Sequence, residues 1–480
     1  MRSSWRPIRP ACWAGAAPLL ICPVTLWLCA PMGACGIFLG MPMQLTWFHR
    51  VCLSKTSFNN MFKTFVCTAL MVSFLSACGG GSGGMSAPAG TAGNATPGSN
   101  NGLTPAAGTA LAANVLPVTV DKGPAGNNVN RLYTEVTICQ AGSTTLCQTI
   151  DHVLVDTGST GLRLLSEVVS PSLNLSRVTA PSTLPLLACA QFLDNTFAWG
   201  PVVNADVTLG GKTATGISVQ VVGDPAFNRL ARTCSPGTAV DNLAALGAKG
   251  IIGLGMFKED CGPACASVTN NGIYFTCATP SCTTAAPTRA SIARQLKNPV
   301  PLFASDNNGF LIDLPAVASA GTVSLNGSLI FGIGTQPNNQ VTSSKVLTTD
   351  TNGYFLTLLS GRSLDTSFID TGSNGLFFDS PEIPVCSAGS SSSFYCPASF
   401  LTFSATQTGT NAVSNSVVFS VENAATYFAS PEKSVLPNLA GTIGNARTFD
   451  WGLPFFYGRR VYKGIEGQPS VIGVGPFYAF

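Results

Sequence analysis

Residues 151–165 read DHVLVDTGSTGLRLL and residues 365–379 read DTSFIDTGSNGLFFD. Both pass from hydrophobic residues into Asp-Thr-Gly-Ser, then one residue, Gly-Leu and further hydrophobic residues. A given tetrapeptide arises by chance in roughly one chain of this kind in a hundred. A second copy with matched flanks on both sides is far rarer. The repeat therefore implies two related β lobes, each presenting the same loop. In each copy a hydrophobic strand, Val153-Leu154-Val155 or Phe368-Ile369, buries itself and delivers an aspartate at its end, Asp156 or Asp370. Gly158 and Gly372 permit a tight turn and close backbone approach. Thr157 and Thr371 can hydrogen-bond across to the other lobe, and Ser159 and Ser373 can donate to the carboxylate beside them. Two carboxyl groups placed face to face cannot both ionise, so they share a proton. One then acts as base towards a water and the other as acid towards a carbonyl. An ordinary turn aspartate accounts for one such loop but gives no reason for two.

The rest of the sequence agrees with a β-rich protein. Charged residues make up 10% of the 480, against about 25% in an average soluble domain. Long amphipathic helices need many Glu, Lys and Arg, so an all-α fold is excluded. Short runs rich in Val, Ile, Thr and Phe, separated by Gly, Asn and Pro, predict strands near 132–139, 152–156, 202–209, 217–222, 309–314, 325–332, 354–359 and 417–421. Helical candidates are few and short, the best covering 288–297. Two histidines, His49 and His152, leave no His-rich zinc site and little material for a Ser-His-Asp arrangement. His152 reads as a satisfied histidine at a strand edge. A net charge of +3 gives no nucleic-acid footprint. Asp450 reads as a turn residue or as a third carboxylate near the pair. Arg459, Arg460 and Lys463 read as a solvated basic rim.

Residues 1–78 hold six Lys and Arg and no Asp or Glu, so residues 79–480 carry a net charge of −3. A basic, acid-free start with apolar runs is a targeting segment. Residues 1–60 read as an N-terminal extension, or as an over-extended gene start with Met61 the true one. From Met61, Lys63 supplies the charge and residues 65–75 the apolar stretch, ending in Leu75-Ser76-Ala77-Cys78. This resembles a bacterial lipobox, in which cleavage before Cys78 leaves a lipid-bearing thiol; 61–78 is then a lipoprotein signal peptide. Residues 79–114 are uncharged and, apart from Met85, Leu103 and Leu111, consist of Gly, Ser, Thr, Ala, Pro and Asn; they read as a disordered tether. Seven of the 17 cysteines lie at or before Cys78, leaving ten. An even count in an exported chain suggests disulfides. Local pairs are Cys139–Cys147, Cys261–Cys265, Cys277–Cys282 and Cys386–Cys396, which leaves Cys189–Cys234. A metal site at Cys261, Cys265, Cys277 and Cys282 is the alternative.

The sequence resembles the pepsin-like aspartic peptidases through most of residues 130–465, and more narrowly an uncharacterised proteobacterial lipoprotein family that carries these motifs. The matching segments are LYTEVT (132–137), KGIIGLG (249–255), GSLIFG (327–332), YFLTL (354–358) and WGLPFF (451–456) with Val461-Tyr462. The resemblance implies a mainly β, bilobal double β-barrel with pseudo-twofold symmetry and a cleft between lobes, 115–344 and 345–480. It implies an envelope-anchored aspartic endopeptidase with Asp156 and Asp370 as the catalytic dyad. No cofactor or metal is called for, and the chain is expected to be a monomer acting on a protein or peptide. Its expected place is the periplasmic side of the envelope or the outer membrane. Arg163 stands where the family has Trp, and the expected flap, residues 189–209, lacks the family's Tyr. Phe192, Phe197 and Trp199 are the candidates to cover the cleft instead, and residues 115–130 offer a second cover. The departures keep alive a non-peptidolytic binding or inhibitor-like protein on the same fold.

If Cys78 carries the anchor, Cys78→Ala abolishes metabolic labelling with a radioactive fatty acid and moves the protein out of the membrane fraction. A variant that fractionates as the wild type does places the anchor elsewhere, with residues 11–43 the next candidate.

Overall fold

Runs of Val, Ile, Leu and Thr between Gly and Asn turns fold as strands along the whole described chain, because β-branched and aromatic side chains pack well on a pleated surface. The computed structural model describes residues 111–480, apart from 229, 232–233, 236, 278–284, 342–344 and 388–391. The fold is mainly β, with a closed six-stranded barrel and a half-barrel. All described residues fall in one compact unit. Strands form at every expected place, for example Leu132–Gln140, Gly309–Leu314, Leu325–Phe331 and Phe355–Leu359. The expected helix at 288–297 is reduced to one 3-10 turn, Ile292–Arg294. Its flanks pair with other segments instead, through the bridges Glu259–Lys297 and Ser218–Leu296, and the buried Gln295 amide donates to the carbonyls of Gly262 and Ala290.

One local arrangement occurs twice. In the first half, strand Cys147–Asp156 ends in the Asp-Thr-Gly-Ser turn and the chain returns as Thr160–Leu165. Strand Gly250–Leu254 lies between them, parallel to the first and antiparallel to the second. In the second half, Arg362–Ile369 and Leu376–Phe378 flank Phe449–Trp451 with the same directions. Hydrophobic burial holds each unit: Val153, Leu154, Val155, Ile251 and Ile252 are buried in one, Phe377, Phe378, Phe449 and Trp451 in the other. Phe449 stacks on Trp451 at 3.8 Å and on Phe378 at 4.7 Å, and Phe419 meets all three rings edge-on. Because side chains alternate along a strand, Phe449 and Trp451 share one face and Asp450 points to the other.

The two large sheets do not divide at residue 344. Strands Val346–Thr348, Arg459–Gly464 and Phe477–Ala479 join the sixteen-stranded sheet of the first half, where Arg459–Gly464 pairs with Gly309–Leu314. The other sheet has seven strands, all from residues beyond 354. The expected tether also ends earlier than residue 114. Asn114 is buried, and its amide donates to the Phe331 carbonyl and to Asn338. Residues 1–60, the expected signal peptide 61–78 with Cys78, and 79–110 lie outside the described residues. Four of the expected disulfides are formed: Cys139–Cys147, Cys189–Cys234, Cys261–Cys265 and Cys386–Cys396. The bond between Cys261 and Cys265 rules out the metal reading of those thiols. The fifth pair includes Cys282, outside the described residues, although Cys277 is itself disulfide-bonded.

Residues after strand Val115–Val120 cross to the second half and are fixed there by Asn130. Its amide nitrogen donates to the carbonyls of Asn374 (2.9 Å) and Leu436 (2.8 Å). Its oxygen accepts from Leu436 N (2.7 Å) and Tyr457 OH (2.8 Å). The residue is fully buried with φ of 48°, a left-handed conformation that Asn tolerates better than most residues. Each buried group left unpaired costs about 1–3 kcal/mol. Asn130→Ala is therefore expected to destabilise the protein by at least about 3 kcal/mol in denaturant unfolding. Asn130→Gly, which relieves the backbone but restores no bond, recovers only a small part.

Candidate functional site: a buried pair of aspartates

The two strand ends deliver their aspartates to one place. Asp156 and Asp370 are both fully buried. Gly158 N donates to Asp156 Oδ1 (2.9 Å) and Gly372 N to Asp370 Oδ1 (2.8 Å), so each turn holds its own carboxyl group in the same way. The loops are tied to each other reciprocally. Thr157 N donates to Thr371 Oγ1 (3.2 Å) and Thr371 N to Thr157 Oγ1 (3.1 Å), while Thr371 Oγ1 donates to the Val155 carbonyl (2.7 Å). Gly158 packs on the opposite carboxyl group: a Cβ there would sit 2.8 Å from Asp370 Cγ. The glycine is required by this close approach, not by its φ. Ser373 Oγ reaches Asp370 Oδ2 (3.2 Å) and also Asp450 Oδ2 (2.6 Å). Asp156 Oδ2 and Ser159 Oγ are buried without a hydrogen-bond partner of ordinary geometry.

The environments of the two carboxyls differ. Burial pushes Asp156 up from the ordinary carboxylate range, opposed by its neighbours Ser159 and Asp370, by the hydrogen bond from Gly158 N and by the Lys463 charge. The buried guanidiniums of Arg131 and Arg163 also attract it. Burial pushes Asp370 well up, and the negative charges of Asp156 and Asp450 push it further. The two carboxyls titrate as a coupled pair that shares its proton; the negative Asp450 near Asp370 and the guanidiniums near Asp156 bias the remaining charge towards Asp156.

Several residues stand elsewhere than the sequence suggested. Lys463 belongs to no solvated rim. It is only 4% exposed, and its Nζ donates to the carbonyls of Thr157 and Ile369. Strand alternation puts Lys463 on one face with Val461, but Tyr462 on the other face is buried as well, so alternation alone does not mark Lys463 as buried. Asp450 is no turn residue but a buried third carboxyl, joined to the pair through Ser373. Hairpin strands Leu186–Gln191 and Thr196–Leu209 form where the flap was expected. Phe192, Phe197 and Trp199 nevertheless pack into hydrophobic clusters, Trp199 donating to the Phe227 carbonyl. None of the three lines the cavity beside the aspartates. That cavity is bounded by Gly158, Ser159, Met256, Phe257, Tyr354 and Phe368, with Lys463 and Asp260 in its wall. His152 sits in a bulge at φ of 51°, its ring nitrogens facing Asp151 (2.7 Å) and Asp121 (3.3 Å), with no place in the pair.

Arg163, the residue found in place of Trp, is buried and has acquired partners that the sequence did not reveal. Its Nη1 donates to the Thr160 carbonyl (2.8 Å), and its Nη2 lies 3.7 Å from the equally buried Asp260. Tyr274 OH donates to Asp260 Oδ1 (2.6 Å) and accepts from Leu296 N (2.9 Å). A Tyr–Asp–Arg cluster thus stands behind the first loop. Its members lie far apart in sequence, and no motif links them.

Among the described residues no group of three or more His, Cys, Asp or Glu is arranged to hold a metal ion. Residues 110–480 match a family described as protein of unknown function, DUF3443. No curated protein matches the chain.

Burial raises the Asp260 carboxyl to about 6 against the attraction of Arg163. The folded state then holds this proton more tightly than the unfolded one. The stability associated with it is fully present below about pH 4 and is lost as pH rises through about 6. Carbon NMR of the Asp260 carboxyl is expected to titrate near 6, and Tyr274→Phe to raise that midpoint by removing a hydrogen bond to the charged form. A midpoint near 4 contradicts the assignment.

Proposed function

The chain belongs to the DUF3443 family, whose match spans all the described residues, and we propose that it is an aspartic endopeptidase with Asp156 and Asp370 as its catalytic pair. The observation that carries the reading is the joining of two Asp-Thr-Gly-Ser turns through reciprocal Thr157–Thr371 hydrogen bonds, with Gly158 against the Asp370 carboxyl. That constellation supports a pepsin-like bilobal fold with pseudo-twofold symmetry, as does the duplicated three-strand unit. It supports a water held between the carboxyls. Asp156 takes a proton from that water as its oxygen attacks the peptide carbonyl, and Asp370 gives its proton to the carbonyl oxygen. The tetrahedral intermediate collapses as Asp156 gives its proton to the nitrogen, which leaves as amine, while Asp370 takes the proton of the hydroxyl that becomes the carbonyl, so the pair again holds one proton. The substrate class proposed is a protein or peptide, with no cofactor. The proposed location is the periplasmic side of the envelope or the outer membrane, through a lipid on Cys78. A binding protein without peptidase activity is the second reading, favoured by the complete burial of both carboxyls.

The test is cleavage of an unfolded protein by the purified full chain between pH 3 and 8. General acid–base catalysis is worth about 10²–10⁴-fold, and each aspartate also positions the water. Asp156→Asn and Asp370→Asn should each lose activity at or beyond the upper end of that range, with His152→Ala close to wild type. Activity surviving both Asn variants refutes the mechanism. A folded wild type without activity at any pH favours the binding reading.

A further inference from the structure

Lys463 is placed where a strand of the larger sheet passes both aspartate loops. Strand Arg459–Gly464 lies between Gly309–Leu314 and Phe477–Ala479, with Lys463 paired to Phe310 on one side and Tyr478 on the other. Its neighbour on the same face, Val461, is an ordinary core residue, so the fold alone asks for an apolar side chain here. The Nζ instead donates to the carbonyl of Thr157, just after Asp156, and to that of Ile369, just before Asp370. One ammonium thus holds one backbone carbonyl from each loop. The groups acting on it are Asp156 and Asp370 at the ends of their strands, Asp450 on Phe449–Trp451, and the Tyr478 ring with its centroid 5.0 Å away. Phe310 brings no charge.

We infer that Lys463 is a positioning residue of the aspartate pair, which bridges the two loops through their carbonyls and supplies the positive charge that lets buried carboxyls hold one negative charge. A buried ammonium without an anion costs several kcal/mol, and so does a buried carboxylate without a cation. Placed together, the singly protonated pair and the ammonium are neutral as a unit. Arg131 and Arg163 also attract Asp156, but Lys463 is the cation whose charge acts on both members of the pair. Burial lowers the ammonium to about 8, so the compensating charge is present through neutral pH and is lost above it. In acid the carboxyls are protonated and the ammonium has no anion to serve.

The catalytic consequence rests on the peptidase reading; the stability consequence does not. Thermal unfolding of the full chain is compared for wild type, Lys463→Met and Lys463→Met combined with Asp156→Asn, at pH 4 and pH 7. An opposite charge nearby moves a carboxyl pKa by about 1–3 units. The Tm loss caused by Lys463→Met is therefore expected to be larger at pH 7 than at pH 4, by about 2–5 °C. Asp156→Asn in the same background should recover most of that difference, because both charges then leave together. Equal losses at the two pH values with no recovery would show a packing role and overturn the inference. If Lys463→Met does not fold at pH 7, the double variant must; a double variant that also fails overturns it. Where wild type cleaves peptide, the acid limb of kcat/KM moves up by about one pH unit or more in Lys463→Met, and a limb that stays in place overturns the inference. A wild type that cleaves nothing removes the peptidase reading and leaves the stability comparison to decide the role of Lys463.

Discussion

Two backbone turns are locked face to face by Thr157 and Thr371, each amide donating to the other's hydroxyl, and the rest of the site follows from that contact. It forces Gly158 against Asp370, which no residue with a Cβ permits. It also places two carboxyl groups in a volume closed to bulk solvent. Carboxyls so placed are expensive to ionise. The surrounding structure is arranged to hold one charge, not two: backbone amides on each Oδ1, a serine bridging to a third carboxyl, and an ammonium shared by the two loops.

That asymmetry has a structural origin. The two copies of the loop are nearly identical in sequence, but their neighbours are not. The first has Arg131 and Arg163 behind it, and the second has Asp450. Asp450 is there because strand Phe449–Trp451 must turn Phe449 and Trp451 into an aromatic stack with Phe378 and Phe419, which leaves the intervening residue on the loop side. Core packing in the second half therefore fixes where the third carboxyl points. The electrostatic difference between Asp156 and Asp370 follows from it and from the two arginines, not from the Asp-Thr-Gly-Ser residues that the loops share.

The larger sheet carries out a second task by collecting strands from both ends of the chain. Arg459–Gly464 and Phe477–Ala479 join it from the C-terminal side, and Val115–Val120 from the N-terminal side. Lys463 therefore reaches both loops from one position. Asn130, at the end of the crossing segment, satisfies two backbone carbonyls, one backbone amide and a tyrosine hydroxyl in the other half. A segment that the sequence offered as a cover for the cleft thereby ties the first half to the second.

The sequence by itself determined the β class, most strand positions, the local disulfides and the two aspartate loops, because these depend on residue spacing within a few positions. Period-two burial, a tight turn and a short cysteine loop are all local. It also determined that Arg163 departs from the resemblance, but not what Arg163 would meet. Tertiary structure alone decided the burial of Lys463, the role of Asp450, the Tyr274–Asp260–Arg163 cluster and the inward packing of Phe192, Phe197 and Trp199. Each depends on contacts between residues far apart in sequence, where nothing local records which charge will find a counter-charge. For Lys463 the physical reason is plain: in sequence it stands near two arginines on a strand that looks basic and exposed, and only the closing of the sheet beneath both loops makes its burial favourable.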